Sequence, residues 1–181
     1  MAVLLITTED IAKFTALNGN VDKDKFIQFC KIAQDIHIQN VLGTDLLEKL
    51  QLEITNGTLS GDYLNLNTKY VKPVLIHYSL MEYLPFSAYT IANKGVYKHS
   101  SENSQNVEKN EVDFLIEKER DIAEHYATRL VDYLCNNTTL FPEYSSNTAE
   151  DMRPDRNTVF SGWMLDSNAQ RDRLDYDNLE L

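Results

Sequence analysis

The chain has 181 residues, of which 43% are hydrophobic and 25% are charged, so it can bury a core and is not disordered throughout. Its formal net charge of −11 argues against specific binding to nucleic acid and to anionic membranes, because like charges repel each other. No apolar run is long enough to span a membrane, and the apolar start at 2–6 lacks the basic flank of a signal peptide.

A short helix is predicted first, where Thr7 or Thr8 can cap a segment that ends near Phe14. A longer helix is predicted from about 22 to 41, because its apolar residues recur every three or four positions. Gly43 ends this helix. The apolar stripe is expected to be buried and consists of Phe26, Phe29, Cys30, Ala33 and Ile36.

The middle of the chain contains two further predicted helices. Thr44 is placed to cap a helix over 45–54, and a mostly polar connector is predicted at 58–67. The next helix, 70–92, is apolar on nearly all sides, which is typical of a central helix in a bundle or of one covered by other subunits. Pro85 should kink or break it.

A long polar loop is predicted from 93 to 106, before a last long helix from about 107 to 134. Long ordered loops between helices are usually functional. The loop is therefore expected at an inter-subunit or channel-facing position, with Gly95, Val96 and Tyr97 as candidate partner-binding residues.

The composition changes near the C-terminus, where residues 145–181 are polar and lack helical periodicity. The sequence thus predicts an all-α fold: a bundle of four to five helices at 1–144, with little or no core sheet, and a long extended C-terminal interaction arm at 145–181. An aromatic anchor in a polar segment fills a pocket on a partner or on its own domain, and both remain open. The candidate partner-binding residues of the arm are Phe160, Trp163, Met164, Leu165, Arg153 and Arg156.

No catalytic or metal motif stands out in the sequence. The four histidines match neither the His-Glu-x-x-His pattern nor the Glu-x-x-His spacing of di-iron bundles, and two cysteines cannot form a four-cysteine zinc site. The carboxylates between 117 and 124 spread around their helix, so a solvated face is expected. We therefore expect a protein that is not an enzyme and that uses no cofactor and no metal.

Three parts of the chain resemble a known group of viral proteins. They are Val41-Leu42-Gly43-Thr44-Asp45-Leu46-Leu47, then 70–73 with 82–86, then 93–96 with 100–104. Together they resemble small proteins of tailed bacteriophages of gut bacteria, including the crAss-like phages, which look like helical head–tail connector or neck ring adaptors. The resemblance covers roughly residues 7–144.

The resemblance implies an α-helical adaptor that forms a ring, usually twelve-fold, under the portal, extends the DNA channel and offers the tail a docking surface. Implied partners are other copies of the chain, the portal protein, and tail or other neck proteins. DNA would pass through the lumen without specific binding, and no membrane is involved. The implied location is the neck of the virion, after assembly in the host cytoplasm.

A virion structural protein is therefore the leading hypothesis. A cytosolic helical binding module or regulator without catalytic activity is the first alternative, and an enzyme with an unrecognised site is the second.

Overall fold

A computed structural model describes part of the chain, namely residues 3–17, 23–87, 89–92, 95–98, 109–146 and 151–156. Regular secondary structure in these residues is helical except for one pair of strands, so the all-α class expected from the sequence is confirmed. No helix among them combines the length and the apolar composition needed to cross a membrane.

The helices in this part of the chain are α1 (Thr8–Phe14), α2 (Lys23–Ala33), α3 (Gln39–Leu42), α4 (Thr44–Asn56), α5 (Gly61–Leu66), α6 (Lys72–Tyr83), α7 (Lys109–Asn136) and α8 (Pro142–Ser146). A π-helical turn at Gln34–Ile38 joins α2 to α3, and another at Asn67–Val71 joins α5 to α6. With each joined pair counted as one, the described residues form six helices rather than the four to five predicted, because α8 was not expected. The continuous helix predicted over 22–41 is thus confirmed from Lys23 onward, and Gly43 follows its end as predicted. Its predicted buried stripe is confirmed except at Ile36, which is half exposed.

The polar connector predicted at 58–67 is wrong, because this stretch contains a helix. α5 begins at Gly61 and continues through the π-turn into α6. Leu66 is buried and Tyr63 and Tyr70 are half-buried, at spacings of three and four residues. The many polar residues between them concealed this period in the sequence.

The helix predicted over 70–92 ends earlier, at Tyr83. Pro85 lies in the 3-10 turn Leu84–Phe86 that follows. A proline has no N–H to donate, and its ring clashes with the carbonyl four residues before it, so the expected break at Pro85 is confirmed.

Two strands follow this turn and correct the predicted loop. β1 (Tyr89–Ala92) pairs antiparallel with β2 (Gly95–Lys98), with Ile91 opposite Val96. β-branched and aromatic residues in both segments favour an extended backbone. The prediction of a loop is therefore wrong for the residues of β2, and residues 99–106 lie outside the described residues.

Helix α6 lies at the centre of the fold. Its buried residues point in all directions around its axis, as predicted for this apolar segment. They are Val74, Leu75, Ile76, Ser79, Leu80 and Met81. Helix α2 packs against one side of α6 and α7 against another, and residues from all three join one core cluster. Cover from several sides keeps this helix out of water.

Two polar contacts show which sides of α6 face its neighbours. Nε2 of His37 lies 3.0 Å from Oε1 of Glu82, and Nδ1 of His77 lies 2.7 Å from Oε2 of Glu119. The two α6 residues are five positions apart, or about 140° around the helix, so they reach different neighbours. The ring of His37 also stacks on that of Tyr78, at a centroid distance of 3.8 Å.

The apolar start of the chain is part of the core. Leu5 and Ile6 are buried, and the Leu5 N–H donates to Oε1 of Gln34 at 2.9 Å. The side-chain amides of Gln34 and Gln51 both donate to the carbonyl of Val3 at 3.0 Å. Gln34 is fully buried, so its side-chain amide cannot form hydrogen bonds with water. The bonds to Val3 and Leu5 take the place of those water contacts.

Helix α1 is tied to α6 by a carboxylate that also takes part in its capping. Thr7 and Asp10 form a capping box at the N-terminus of α1, which confirms Thr7 as the cap. Nζ of Lys72 lies 2.8 Å from Oδ2 of Asp10. Burial alone would raise the pKa of Asp10, but the hydrogen bonds from Lys72 and Thr7 outweigh it and lower the pKa below its ordinary value of 3.8.

We expect Asp10→Asn to lower the free energy of unfolding by about 1 kcal/mol at pH 7, because it removes a charged hydrogen bond. A carboxyl whose pKa is lower in the folded than in the unfolded protein stabilises the fold above its unfolded pKa. That stability is lost as the pH falls through the folded pKa. The difference between wild type and variant, measured by urea unfolding, should therefore shrink at pH 3.

The matched control is Asp35→Asn, because Asp35 pairs with Lys31 one turn away on a more exposed part of α2 and the π-turn. We expect its effect to stay within about 0.5 kcal/mol. An equal loss in both variants, or a loss in Asp10→Asn that does not depend on pH, would contradict the role of the Asp10 ion pair.

Candidate interaction surfaces

The short break between α3 and α4 receives a segment from the far end of the described chain. The backbone N–H of Thr44 donates to the carbonyl of Met152 at 3.0 Å, and the N–H of Met152 donates to Oγ1 of Thr44 at 3.1 Å. The N–H of Asp155 donates to the carbonyl of Asn40 at 2.6 Å. We call residues 151–156 the docked segment, since they bind along this break.

Gly43 makes this approach possible. Its backbone has φ +74° and ψ 165°, a conformation that residues with a side chain rarely adopt. A Cβ at this position would lie 2.7 Å from Cδ of Pro154 and 3.0 Å from its nitrogen. Gly43 is therefore required both by its own backbone and by the docked segment that crosses it.

The prediction that Thr44 caps α4 is wrong, because Gly43 occupies the N-cap position and Thr44 is the first helical residue. The Thr44 hydroxyl instead bonds to the docked segment and donates to Oδ2 of Asp151 at 3.1 Å. The same carboxylate oxygen accepts from Nε2 of Gln39 at 3.1 Å. A carboxylate beside the first turn of a helix is also favoured by the helix dipole.

The two candidate arginines lie at different places on the docked segment. Arg153 is exposed to solvent. The guanidinium of Arg156 lies over the ring of Tyr144, 5.2 Å from its centroid, and donates to the Tyr144 carbonyl at 3.4 Å. Arg156 thus helps to hold the segment on its own chain. Phe160, Trp163, Met164 and Leu165 lie outside the described residues.

The N-terminal half of α7 is the most exposed long helical stretch described. His77 contacts Glu119 and Tyr70 stacks on Tyr133, so α6 and α7 run antiparallel. Beyond the contact between His77 and Glu119, α6 continues for about 9 Å to its C-terminal end, while α7 extends for about 15 Å back to its N-terminal end. The start of α7 therefore passes beyond the end of α6. We call residues 110–122 the exposed half of α7, since each of them is exposed or half-buried.

Three large apolar side chains lie on the exposed half of α7. Phe114, Leu115 and Ile122 are 57%, 46% and 39% exposed. Leu115 and Ile122 are seven positions apart and share one face of the helix. This apolar spacing by itself predicts a core-facing stripe, but both residues are exposed, so that prediction is wrong for them.

The candidate partner-binding residues of the segment predicted as a loop lie in a strand. Gly95, Val96 and Tyr97 belong to β2, where they pair with Ala92, Ile91 and Thr90 of β1. β1 follows the 3-10 turn that packs against α7. At this turn Phe86 is about half exposed, and its ring lies 5.4 Å from that of Phe29 on α2.

The other polar clusters are ion pairs and hydrogen bonds within the fold. Glu143 lines a groove of about 590 Å³ between α4 and α8, and its Oε2 accepts a hydrogen bond from the hydroxyl of Tyr63 at 2.7 Å. Burial and this hydrogen bond raise the pKa of Tyr63, so it is a hydrogen-bond donor at neutral pH. Among the described residues, no group of three His, Cys, Asp or Glu could hold a metal ion.

Comparison with known proteins identifies the family of the chain. A family model described as "Family of unknown function (DUF6712)" matches residues 38–153, and the chain belongs to this family. No curated protein and no solved structure matches it. The match begins in the π-turn before α3 and ends within the docked segment, so it contains both Gly43 and the residue that Thr44 binds.

We expect Gly43→Ala to destabilise the protein by about 3 kcal/mol, because the conformation of Gly43 is close to glycine-only and Pro154 blocks the added methyl group. Gly57→Ala is the matched control. Gly57 also has positive φ, in the left-handed region, but nothing lies within 4 Å of its added Cβ. Gly57→Ala should lower the free energy of unfolding by about 1 kcal/mol. Chemical unfolding of both variants measures the difference.

The same pair of variants in a chain that ends at Ser146 separates backbone strain from the contact with Pro154. Without the docked segment, the destabilisation caused by Gly43→Ala should be smaller by about 1 kcal/mol or more. The loss from Gly57→Ala should not change. An unchanged loss from Gly43→Ala would show that Pro154 does not press on this position.

Proposed function

We propose that this member of the DUF6712 family is a virion structural protein of a tailed bacteriophage. In this role it is one subunit of a ring in the neck that joins the capsid portal to the tail and extends the DNA channel. The observation that carries the proposal is the exposed half of α7, which presents large apolar side chains on the surface of the described chain. Such surfaces usually mark contacts with another protein.

The charge of the chain supports a channel role. A net charge of −11 per chain gives a twelve-fold ring a formal charge of about −130. Carboxylates also lie on the described surface, for example at Glu117, Asp121 and Glu124 on α7. A negative ring keeps DNA from adhering to the lumen while it passes, and needs no specific DNA-binding site. The role requires no catalysis, cofactor or metal.

The docked segment supports an interaction arm that reaches neighbouring proteins. Because residues 151–156 bind the α3–α4 break, an arm that begins after Arg156 would start from a defined point on the body. Residues 157–181, fully extended, span on the order of 80 Å. We therefore place the start of the arm after Arg156 rather than at 145.

Contact with another surface is what would order this arm. Ordering each residue costs roughly 1–2 kcal/mol of backbone entropy, and the arm has too few apolar residues to offset that cost alone. Its uncharged stretch Thr158–Leu165 contains the four proposed anchors, Phe160, Trp163, Met164 and Leu165. Partners of this kind are the portal protein, tail proteins or other neck proteins.

The direct test is quantitative mass spectrometry of purified particles of the phage whose genome encodes the chain. We expect the protein in the virion at about the copy number of the portal, because one ring subunit would sit under each portal subunit. Absence from purified particles, with the protein present in the infected cytosol, would overturn the proposal. That outcome would favour a cytosolic binding module or regulator.

We expect truncation after Arg156 to leave thermal unfolding unchanged while incorporation into particles falls at least tenfold. Trp163→Ala should have the same effect on incorporation, since losing a binding hot spot costs roughly 2–4 kcal/mol. Tyr176→Ala is the matched control, because Tyr176 is aromatic and lies in the same segment outside the anchors. If truncation after Arg156 also unfolds the helices, residues 157–181 pack on their own chain and the arm proposal is wrong.

A further inference from the structure

The docked segment is held in a different way from the N-terminal segment. Leu5 and Ile6 of the N-terminal segment are buried and belong to the core cluster. All six residues of the docked segment are exposed or half-buried, and none of them is in the core cluster or among the apolar residues packed against it. Burial in the core therefore fixes the N-terminal segment but contributes little to holding the docked segment.

Polar contacts near the surface hold the docked segment instead. Three hydrogen bonds from backbone N–H groups join it to the α3–α4 break, and their donors are Thr44, Met152 and Asp155. The carboxylate of Asp151 and the guanidinium of Arg156 add side-chain contacts, and both residues are exposed. Such bonds give little net stability, because water offers the same groups equivalent partners when the contact opens.

Release of the docked segment leaves the helices intact. The groups that would lose a partner are the N–H and hydroxyl of Thr44, the side-chain amide of Gln39 and the carbonyl of Asn40. The docked segment lies directly against them, so its release lets water reach them. Thr44 is the first residue of α4, where an N–H has no partner within the helix, so α4 loses none of its own bonds.

We propose that the docked segment is a releasable latch, which opens while the helices stay folded and thereby sets the reach of the C-terminal arm. Segments with few buried apolar contacts and exposed hydrogen bonds open more readily than the whole protein unfolds. This inference rests on the proposed arm and adds its regulation. With the segment docked, the arm starts after Arg156. With the segment released, the arm starts after Ser146 at the end of α8 and gains roughly 30 Å of extended reach.

Native-state hydrogen exchange of the full chain, read by NMR, tests the opening. The amides of Thr44, Met152 and Asp155 report on the contact from both sides, and the amide of Leu50, buried within α4, reports on the folded helices. We expect the three amides to exchange more slowly than in an unstructured peptide but at least 100-fold faster than Leu50, at rates that low urea does not change.

Two results of this experiment would overturn the latch. Exchange of all four amides at one rate that rises with urea would show that the segment is released only when the whole protein unfolds. A lack of any protection at Met152 and Asp155 would show that the segment is not docked in solution.

Thr44→Val tests whether the docked segment opens as one unit. The substitution keeps the shape of the side chain but removes the hydroxyl that bonds to the segment. We expect exchange at Asp155 to become at least fivefold faster, although the bond of that amide is not itself removed. Thr55→Val is the matched control, because the Thr55 hydroxyl bonds within α4 and should leave the exchange at Asp155 unchanged. An unchanged rate at Asp155 in Thr44→Val would contradict the latch.

A locked variant tests the link between release and reach. The chain carries Cys135→Ser, since Cys135 is the exposed thiol and Cys30 is buried. Gln39→Cys and Asp151→Cys, at positions whose side chains lie 3.1 Å apart, are joined by a short reducible cross-linker. We expect the locked chain to enter particles at least tenfold less than the same sample after reduction. Equal incorporation before and after reduction would show that release does not set the reach of the arm.

Particle analysis separates failure of the latch from failure of the proposed function. If the wild-type protein is present in virions at the portal's copy number but the contact does not open, the ring and the arm stand, with a fixed start after Arg156, and the latch is wrong. If the contact opens but the protein is absent from virions, the opening stands, and both the neck assignment and the role of the latch in the arm are wrong.

Discussion

The burial of α6 is the constraint on which the rest of the structure depends. A helix that is apolar on nearly every side is stable in water only when other elements cover all of those sides. Helix α2 covers one side and α7 another, and the His37–Glu82 and His77–Glu119 contacts match each side to its neighbour. The N-terminal segment joins the same core, held by Gln34 and Gln51.

The same arrangement leaves apolar surface at the edges of the molecule. Because α6 ends at Tyr83 and α7 continues past it, the start of α7 has no partner helix of equal length among the described residues. Leu115 and Ile122 on α7, and Ile32 and Ile36 on α2, are the outer residues of helices whose inner faces are used.

The sequence allowed the helical elements to be predicted where an apolar stripe recurs every three or four residues, as in α2 and α6. The break at Pro85 and the cap at Thr7 also follow from local chemistry. Prediction failed for α5, where polar residues hide the period. It also failed for the strands at 89–92 and 95–98, because a short apolar segment after a helix does not show whether it continues as helix or strand.

The sequence by itself determined the all-α class, the acidic net charge and the all-round apolar character of α6, because composition and periodicity depend only on the chain. That α6 lies at the centre of its own fold was decided by tertiary structure, since the sequence also allowed cover by other subunits. Tertiary structure alone decided that Gly43 accommodates Pro154 and that Thr44 binds Met152, since these residues are more than 100 positions apart. It also decided which of the apolar residues of α7 are buried and which are exposed. A helical stripe shows which residues share a face, but only the neighbouring elements determine whether that face is covered.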